Sequence, residues 1–443
     1  MTLRWILLLL LFLLSAANLG LNDIWQPNEA FYAETAREML ESGNPLELTY
    51  NYEPRLEKPP MTYWLTALSY SLFGIGEWQT RLVPLLSTFG TALLLLLYGR
   101  FLKNWRFGLT AALAFLSALQ VFALARYDAP EMPLLFFLTG SFITLHLYLE
   151  GRGKLFLPLS GLFLSLALLT KGIPFLALYL GTAGFYLLLK WILKEIDLKW
   201  GIKTLLKVTF WGILASLPIL GWYLYAYNHY GELFIKVFQS EVIHRAFNPN
   251  KGWNWSFYLV VILWAFLPLS LHFYYSLIGL FFRLKEYKNL LFPLSWFGVT
   301  IAAFTVAKGK IPVYILPAFP AMAVLTARLD GLKHPLIAGL NYLILLLLSV
   351  AFLFSLHFLD AITNLALWSL FLLALALWAS LSRYELMRNI IAVIPILYLF
   401  VFAVLPFVEQ YRPYKEVITE LKSRFADKKF LCLGYFYKDF PFY

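Results

Sequence analysis

Arg55-Leu56-Glu57-Lys58-Pro59-Pro60-Met61-Thr62-Tyr63-Trp64 lies at the centre of a polar interval that runs from Asp23 to Trp64. Apolar runs long enough to cross a bilayer flank that interval on both sides. It also carries Asn28, Glu29, Glu34, Arg37 and Glu38, far more charge than a connection between two spans requires. A loop of this kind, placed directly after a first span, reads as one wall of a site at the outer membrane–water boundary.

Composition agrees with this frame. The chain of 443 residues is 61% hydrophobic and 14% charged, with a mean hydropathy of +0.70. Soluble domains carry about a quarter charged residues, so the chain reads as an all-α polytopic membrane protein. Spans are expected near 3–21, 79–101, 107–125, 130–149, 155–170, 172–192, 206–226, 257–281, 290–306, 311–328, 335–356, 362–382 and 389–408, about thirteen in all. The first, behind Arg4, has the alternative of a cleaved signal peptide; the many later spans favour a retained helix.

The net charge of +11 is not a nucleic-acid footprint, because the basic residues sit in short loops between apolar runs. Arg100, Lys103, Arg106, Arg152, Lys154, Lys190, Lys194, Lys199, Lys203, Lys207, Arg283, Lys285, Lys288, Arg328, Lys333, Arg383 and Arg388 all fall on one side of the thirteen-span reading. The positive-inside rule makes that side cytoplasmic, with the N-terminus inside and the tail outside. Acidic residues gather on the other side, in loops 22–78 and 227–256. The expected organisation is a transmembrane domain over 1–408 and a short external tail over 409–443, with a helix near 413–426 and a strand near 429–435. In the first loop, Asn28 to Glu41 and Thr62 to Phe73 read as interfacial helices, the first capped by Asn28 and the second with Tyr63, Trp64, Tyr70 and Phe73 at interface depth.

No Gly-x-Gly-x-x-Gly, Walker, His-Glu-x-x-His or Cys-x-x-Cys motif occurs, and the single cysteine, Cys432, cannot form an intrachain disulfide. No soluble domain is large enough to hold a sugar nucleotide. An activated donor would therefore have to arrive through the membrane on a lipid. Ionisable groups near span ends are costly and mark function first. The acidic candidates are Glu29, Glu57, Asp128 and Glu131; Asp128 stands out, because the tight turn Arg126-Tyr127-Asp128-Ala129-Pro130-Glu131 has no need of such polarity. The basic candidates are Lys58, Arg81, Lys171, Arg245, Lys308 and Lys310, with the Tyr314 hydroxyl close by. Cations there suit a lipid phosphate, through charge-assisted hydrogen bonds; snorkelling lysines and an aromatic belt are the plain alternatives. His244 is a further base or ligand candidate.

The order of these motifs resembles a known family. Pro27-Asn28-Glu29-Ala30-Phe31-Tyr32, Glu57-Lys58-Pro59-Pro60, Arg81-Leu82, Asp128, Leu169-Thr170-Lys171-Gly172 and Lys310-Ile311-Pro312-Val313-Tyr314-Ile315-Leu316-Pro317 are similar to the ArnT-type GT-C glycosyltransferases, relatives of the protein O-mannosyltransferases. The resemblance spans roughly 1–410. It implies a GT-C fold and an inverting transfer of a sugar from a polyprenyl-phosphate donor to lipid A, another glycolipid or a glycan at the periplasmic face of the inner membrane, by a monomer. It implies that Lys58, Arg245 and Tyr314 hold the donor phosphate and that Asp128 faces the transferring sugar or acceptor. Glu57 takes a position that binds metal in some members, so a divalent metal is the one cofactor the resemblance admits. Two departures stand out. The family's Asp-Glu pair is Asn28-Glu29 here, which moves a general base to Glu29 or Asp128, suits an acceptor that needs none, or marks an inactive member. The histidines that accompany Glu241 in some relatives are Ser240 and Val242. A flippase of lipid-linked sugars and a protein O-glycosyltransferase are the alternative functions.

Overall fold

The computed structural model describes residues 1–25, 27–244, 254–332, 334–337, 339–340, 343–344, 347, 385–412 and 414–424. Arg245, the strand expected near 429–435, the span at 362–382 and most of that at 335–356 lie outside the described residues.

The chain opens with α1 (Thr2–Ala16), then builds the first loop from α2 (Asn28–Ser42), the hairpin strands β1 (Thr49–Tyr50) and β2 (Glu53–Pro54), and α3 (Met61–Phe73). The membrane body follows as α4 (Glu77–Leu102), α5 (Trp105–Leu116), α6 (Leu119–Leu124), α7 (Glu131–Leu149), α8 (Phe156–Lys171), α9 (Pro174–Ile192) and α10 (Leu198–Tyr230). After α11 (Glu232–Phe238) come α12 (Phe257–Ala265), α13 (Ser270–Phe281), α14 (Leu291–Val306), α15 (Phe319–Ala327), α16 (Glu385–Leu399), α17 (Leu405–Glu409) and α18 (Tyr414–Arg424). Among the described residues, six helical segments are long and apolar enough to cross a membrane, and four apolar helical segments are shorter. Leucines and aromatics on the outer faces of α4 and α10, Leu93, Leu97, Phe210 and Leu224 among them, are exposed, as a lipid-facing surface requires.

Two expected spans are broken. The 107–125 span divides at Ala118, which is extended, and the 257–281 span divides around Pro268, which lacks an amide proton. The breaks meet: Leu119 N donates to Leu267 O at 3.0 Å, so each supplies a backbone partner that the other lost. Between α4 and α5 the approach is close enough to demand glycine. A Cβ on Gly99 would stand 2.1 Å from the Gly108 Cα, and one on Gly108 would stand 2.1 Å from Leu96 O.

Loops expected on one side do come together. Arg4 and Arg106 both bind Asp330, at 2.8 and 2.7 Å, and Lys190 meets Glu150 at 2.7 Å. At the opposite end the tail docks on the first loop. Asn22 donates to Glu409 at 2.7 Å, Lys415 N donates to Asp23 at 2.9 Å, and the Arg412 guanidinium lies 4.0 Å from the Trp25 ring centre.

The first loop departs from the interfacial picture in its packing. Helix α2 packs on α3, and α3 on α4. Tyr63 and Tyr70 are buried in protein, while Phe73 remains exposed. Helix α2 buries Glu29, Glu34 and Glu38 along with Ala30, Ala33 and Ala36, because Arg81, the neighbouring Arg37 and the hairpin respectively neutralise or bond those carboxylates. Glu38 accepts from Thr49 Oγ1 at 2.5 Å and Tyr52 N at 3.1 Å, which fastens the hairpin to the helix. Asn51 and Tyr52, at φ 54° and 61°, make the mirror-image turn that a tight hairpin favours. Asn28 does not cap α2; it is the helix's first residue and is exposed.

Candidate active site

The expected site residues divide into a buried group and a group on a cavity wall. The buried group is built around Arg81 of α4 and Glu29 of α2. Arg81 Nε and Nη2 donate to the two Glu29 carboxylate oxygens at 2.9 and 2.8 Å, and the pair is fully enclosed. The remaining guanidinium protons go to the carbonyls of Leu19, Asn22 and Asp23, at 2.9, 2.8 and 3.0 Å. Glu29 also accepts from Trp25 N at 2.8 Å and Asp128 N at 3.0 Å. Its lone pairs are thus committed to the fold, and neither Glu29 nor Arg81 reaches the cavity.

Asp128 stands behind the same wall. Its Oδ2 accepts from Thr66 Oγ1 at 3.2 Å, and Oδ1 is buried with no hydrogen-bond partner. Burial, with the Glu29 carboxylate next in weight, pushes its carboxyl well above the usual range. The polarity of the 126–131 turn has a structural use as well. Arg126 Nη1 donates to Ser15 O at 2.7 Å and to Ala17 O at 2.6 Å, closing the C-terminal end of α1.

The cavity, of ≈ 910 Å³, opens between the first loop, the α6–α7 turn, and the ends of α8 to α11 and α14. Asn28, Glu57, Lys58, Lys171, Lys310 and Tyr314 all line it, together with Glu131, Glu241 and His244. Pro59 and Pro60 break the chain after the hairpin, and α3 begins directly behind them, so Glu57 and Lys58 are carried to the wall on a short rigid segment. A π-helical turn over Gln239–His244 continues α11 and brings Ser240, Glu241 and His244 to the opposite side. Leu178, Trp222, Phe234, Phe238 and Val299 add apolar surface to the wall.

Each wall carboxylate has a cation beside it. Lys58 Nζ donates to Glu241 at 2.5 Å, Lys171 Nζ to Glu131 at 2.6 Å, and Arg55 Nη1 stands 3.5 Å from Glu57. Arg55 itself lies against the Phe31 ring, 3.8 Å from its centre. Tyr314 is held between Phe304, stacked at 5.7 Å, and Lys171, whose Nζ is 5.8 Å from the tyrosine ring centre. Lys310 has a different employment. Its ammonium donates to the carbonyls of Phe304, Thr305 and Ala307 at 3.2, 2.7 and 2.8 Å, which caps α14 and uses all three protons. Lys308 does not line the cavity.

The residues around Glu57 do not fit a cation. Arg55 faces that carboxylate, Lys58 holds Glu241, and the described residues contain no group of three or more His, Cys, Asp or Glu able to enclose a metal ion. Sequence reasoning missed the pairing of Lys58 with Glu241 and the place of Tyr32, Tyr127, Trp222 and Tyr223 on the wall. With 27 tyrosines and 15 tryptophans in the chain, no pattern singles those four out.

Comparison with known proteins places this geometry. Residues 1–232 match the model of the family described as dolichyl-phosphate-mannose-protein mannosyltransferase. An uncharacterized protein of Aquifex aeolicus (strain VF5) is 37% identical over 435 residues, covering 96% of this chain and 83% of that one. The undecaprenyl phosphate-alpha-4-amino-4-deoxy-L-arabinose arabinosyl transferase of Shewanella sediminis (strain HAW-EB3) is 32% identical over 330 residues, which is 70% of this chain. The chain spans 56% of that transferase's length. The crystal structure of ArnT from Cupriavidus metallidurans bound to undecaprenyl phosphate superposes with a TM-score of 0.77 at 22% identity, over 100% of this chain and 84% of that one. The fold is therefore GT-C, and the chain belongs to the dolichyl-phosphate-mannose-protein mannosyltransferase family.

Proposed function

We propose that the protein is a membrane glycosyltransferase that moves a sugar from a polyprenyl-phosphate donor to a lipid-borne acceptor, of the lipid A class, at the external face. The observation that carries this reading is one cavity with two chemistries. Lys58, Lys171 and Tyr314 supply phosphate-binding groups, and Leu178, Trp222, Phe234, Phe238 and Val299 supply apolar wall for a prenyl chain. Arg245 follows His244, which lines the cavity, and we assign it to the same phosphate. The arabinosyl transferase relatives carry a polyprenyl phosphate in their names, which supports the donor class.

In this mechanism the acceptor oxygen attacks the anomeric carbon, the bond to the phosphate oxygen breaks, and the electron pair leaves on the lipid phosphate. Charge grows on that phosphate as the bond lengthens, and Lys58, Arg245 and the Tyr314 hydroxyl stabilise it. The phosphate must take Lys58 from Glu241. The Glu29 and Asp128 carboxylates stay behind the wall, so an acceptor hydroxyl would find its base in Glu241 once the phosphate has taken Lys58 from it, and an acceptor oxygen already ionised, as on a phosphate, would need none.

The test is release of polyprenyl phosphate from a polyprenyl-phosphate sugar by the purified protein in the presence of lipid A. Lys58→Ala and Tyr314→Phe should each lower turnover, Lys58→Ala by about 10²-fold or more, while leaving thermal unfolding unchanged. Full turnover in Lys58→Ala would remove the site.

A further inference from the structure

Relatives of this chain are named for an amino sugar, which carries a positive charge at neutral pH, yet the charges on this cavity are already complete without one. Among the described residues the wall holds three carboxylates, Glu57, Glu131 and Glu241, and each has its own cation in Arg55, Lys171 and Lys58. Lys310 adds a fourth positive charge, bonded only to backbone carbonyls in the contacts described above. Four cations therefore face three carboxylates. A phosphodiester donor brings one negative charge, which evens the balance among the described residues and leaves it positive once Arg245, assigned above to that phosphate, is counted. When it displaces Glu241 from Lys58 the balance stays the same. An ammonium on the sugar would add a further positive charge, in a partly enclosed cavity where charges are less screened than in bulk water.

The neighbouring positions agree. Asn28, where the family resemblance expects a carboxylate, presents an uncharged amide to the cavity and is exposed there. Glu29 spends its charge on Arg81 and lies off the wall. Asn28 and Glu57 offer what a hydroxylated sugar needs, an amide that both donates and accepts and a carboxylate that accepts from hydroxyls while Arg55 holds it.

We propose that the donor sugar of this protein is uncharged, and that Asn28 is a determinant of that choice. The inference rests on the polyprenyl-phosphate reading above and narrows its substrate.

Two donors that differ in one group isolate the charge: undecaprenyl-phosphate arabinose and undecaprenyl-phosphate 4-amino-4-deoxyarabinose. Each competes with a fluorescent polyprenyl phosphate for the full-length protein in nanodiscs, with bare undecaprenyl phosphate as reference. At neutral pH the hydroxyl donor should bind about tenfold more tightly than the amino donor, the order expected for one uncompensated charge in a partly solvated site. The gap should close as the pH rises through the amine's own pKa, and Asn28→Asp should narrow it at neutral pH. An amino donor that binds as well as the hydroxyl donor, or better, overturns the inference. So does a gap that ignores both pH and Asn28→Asp. Failure of bare undecaprenyl phosphate to compete at all is a different result, and removes the donor-class reading with it.

Discussion

The Glu29–Arg81 pair offers the sharpest test of how the first loop is built, because Glu29 is a catalytic candidate by sequence and a structural group by position. Consider Arg81→Met. The substitution removes two charge-assisted hydrogen bonds, of 2.9 and 2.8 Å, each worth about 1.5–3 kcal/mol. It leaves the Glu29 carboxylate buried without a counter-ion, and strips three carbonyls of their donor. Breaking one side of a buried pair costs about 3–5 kcal/mol, and methionine's packing recovers part of the loss to the carbonyls. Glu29→Gln should cost about 2–4 kcal/mol, since the amide sets an N–H against one of the guanidinium N–H groups and the other bond loses its charge. Thermal unfolding of the purified protein in detergent, followed by circular dichroism, should show both midpoints lowered by several degrees. The double variant Glu29→Leu/Arg81→Met should be more stable than the sum of its parts, because both charges leave together. A Glu29→Gln protein with the parent's midpoint and no turnover would refute the reasoning, and return Glu29 to the chemistry.

Two further outcomes follow from the cavity and the wall behind it. Glu241→Gln should release Lys58 for the donor phosphate; a partly exposed ion pair is worth about 1 kcal/mol, so donor affinity should rise about fivefold, and a fall in affinity measured by competition binding would refute the displacement. Asp128 carries a folded-state pKa raised by burial, so its native form holds a proton that the unfolded chain releases. Stability is therefore lost as pH rises from about 3.9, the unfolded value, towards the raised folded value. Asp128→Asn should flatten that decline in midpoint against pH, whereas an unaltered slope would mean that the carboxyl is ionised in place.

Much of this protein is written in its sequence. Runs of apolar residues fix helices wherever they are long enough, and α4, α7, α9 and α14 begin and end within a few residues of the hydropathy boundaries. Lys58, Lys171, Tyr314 and Glu57 were legible as candidates, since ionisable groups at span ends are costly, and Asn28 stood out only as a departure from the family's pattern. The breaks at Ala118 and Pro268 were not, because each is satisfied by the other across 148 residues of chain, through Leu119 N and Leu267 O. Glu29 and Asp128 could not be sorted from Glu57 and Glu241 by residue type. All four are carboxylates in or near loops expected on one side, and whether a carboxylate meets Arg81, Thr66 or Lys58 depends on contacts that only the assembled helices create. Sequence alone determined the class of the protein and the chemical kinds of group in its site, since hydropathy and charge are properties of single residues. Only the tertiary structure decided which of those groups face the cavity and which hold up its wall, because burial and pairing are properties of partners distant in the chain.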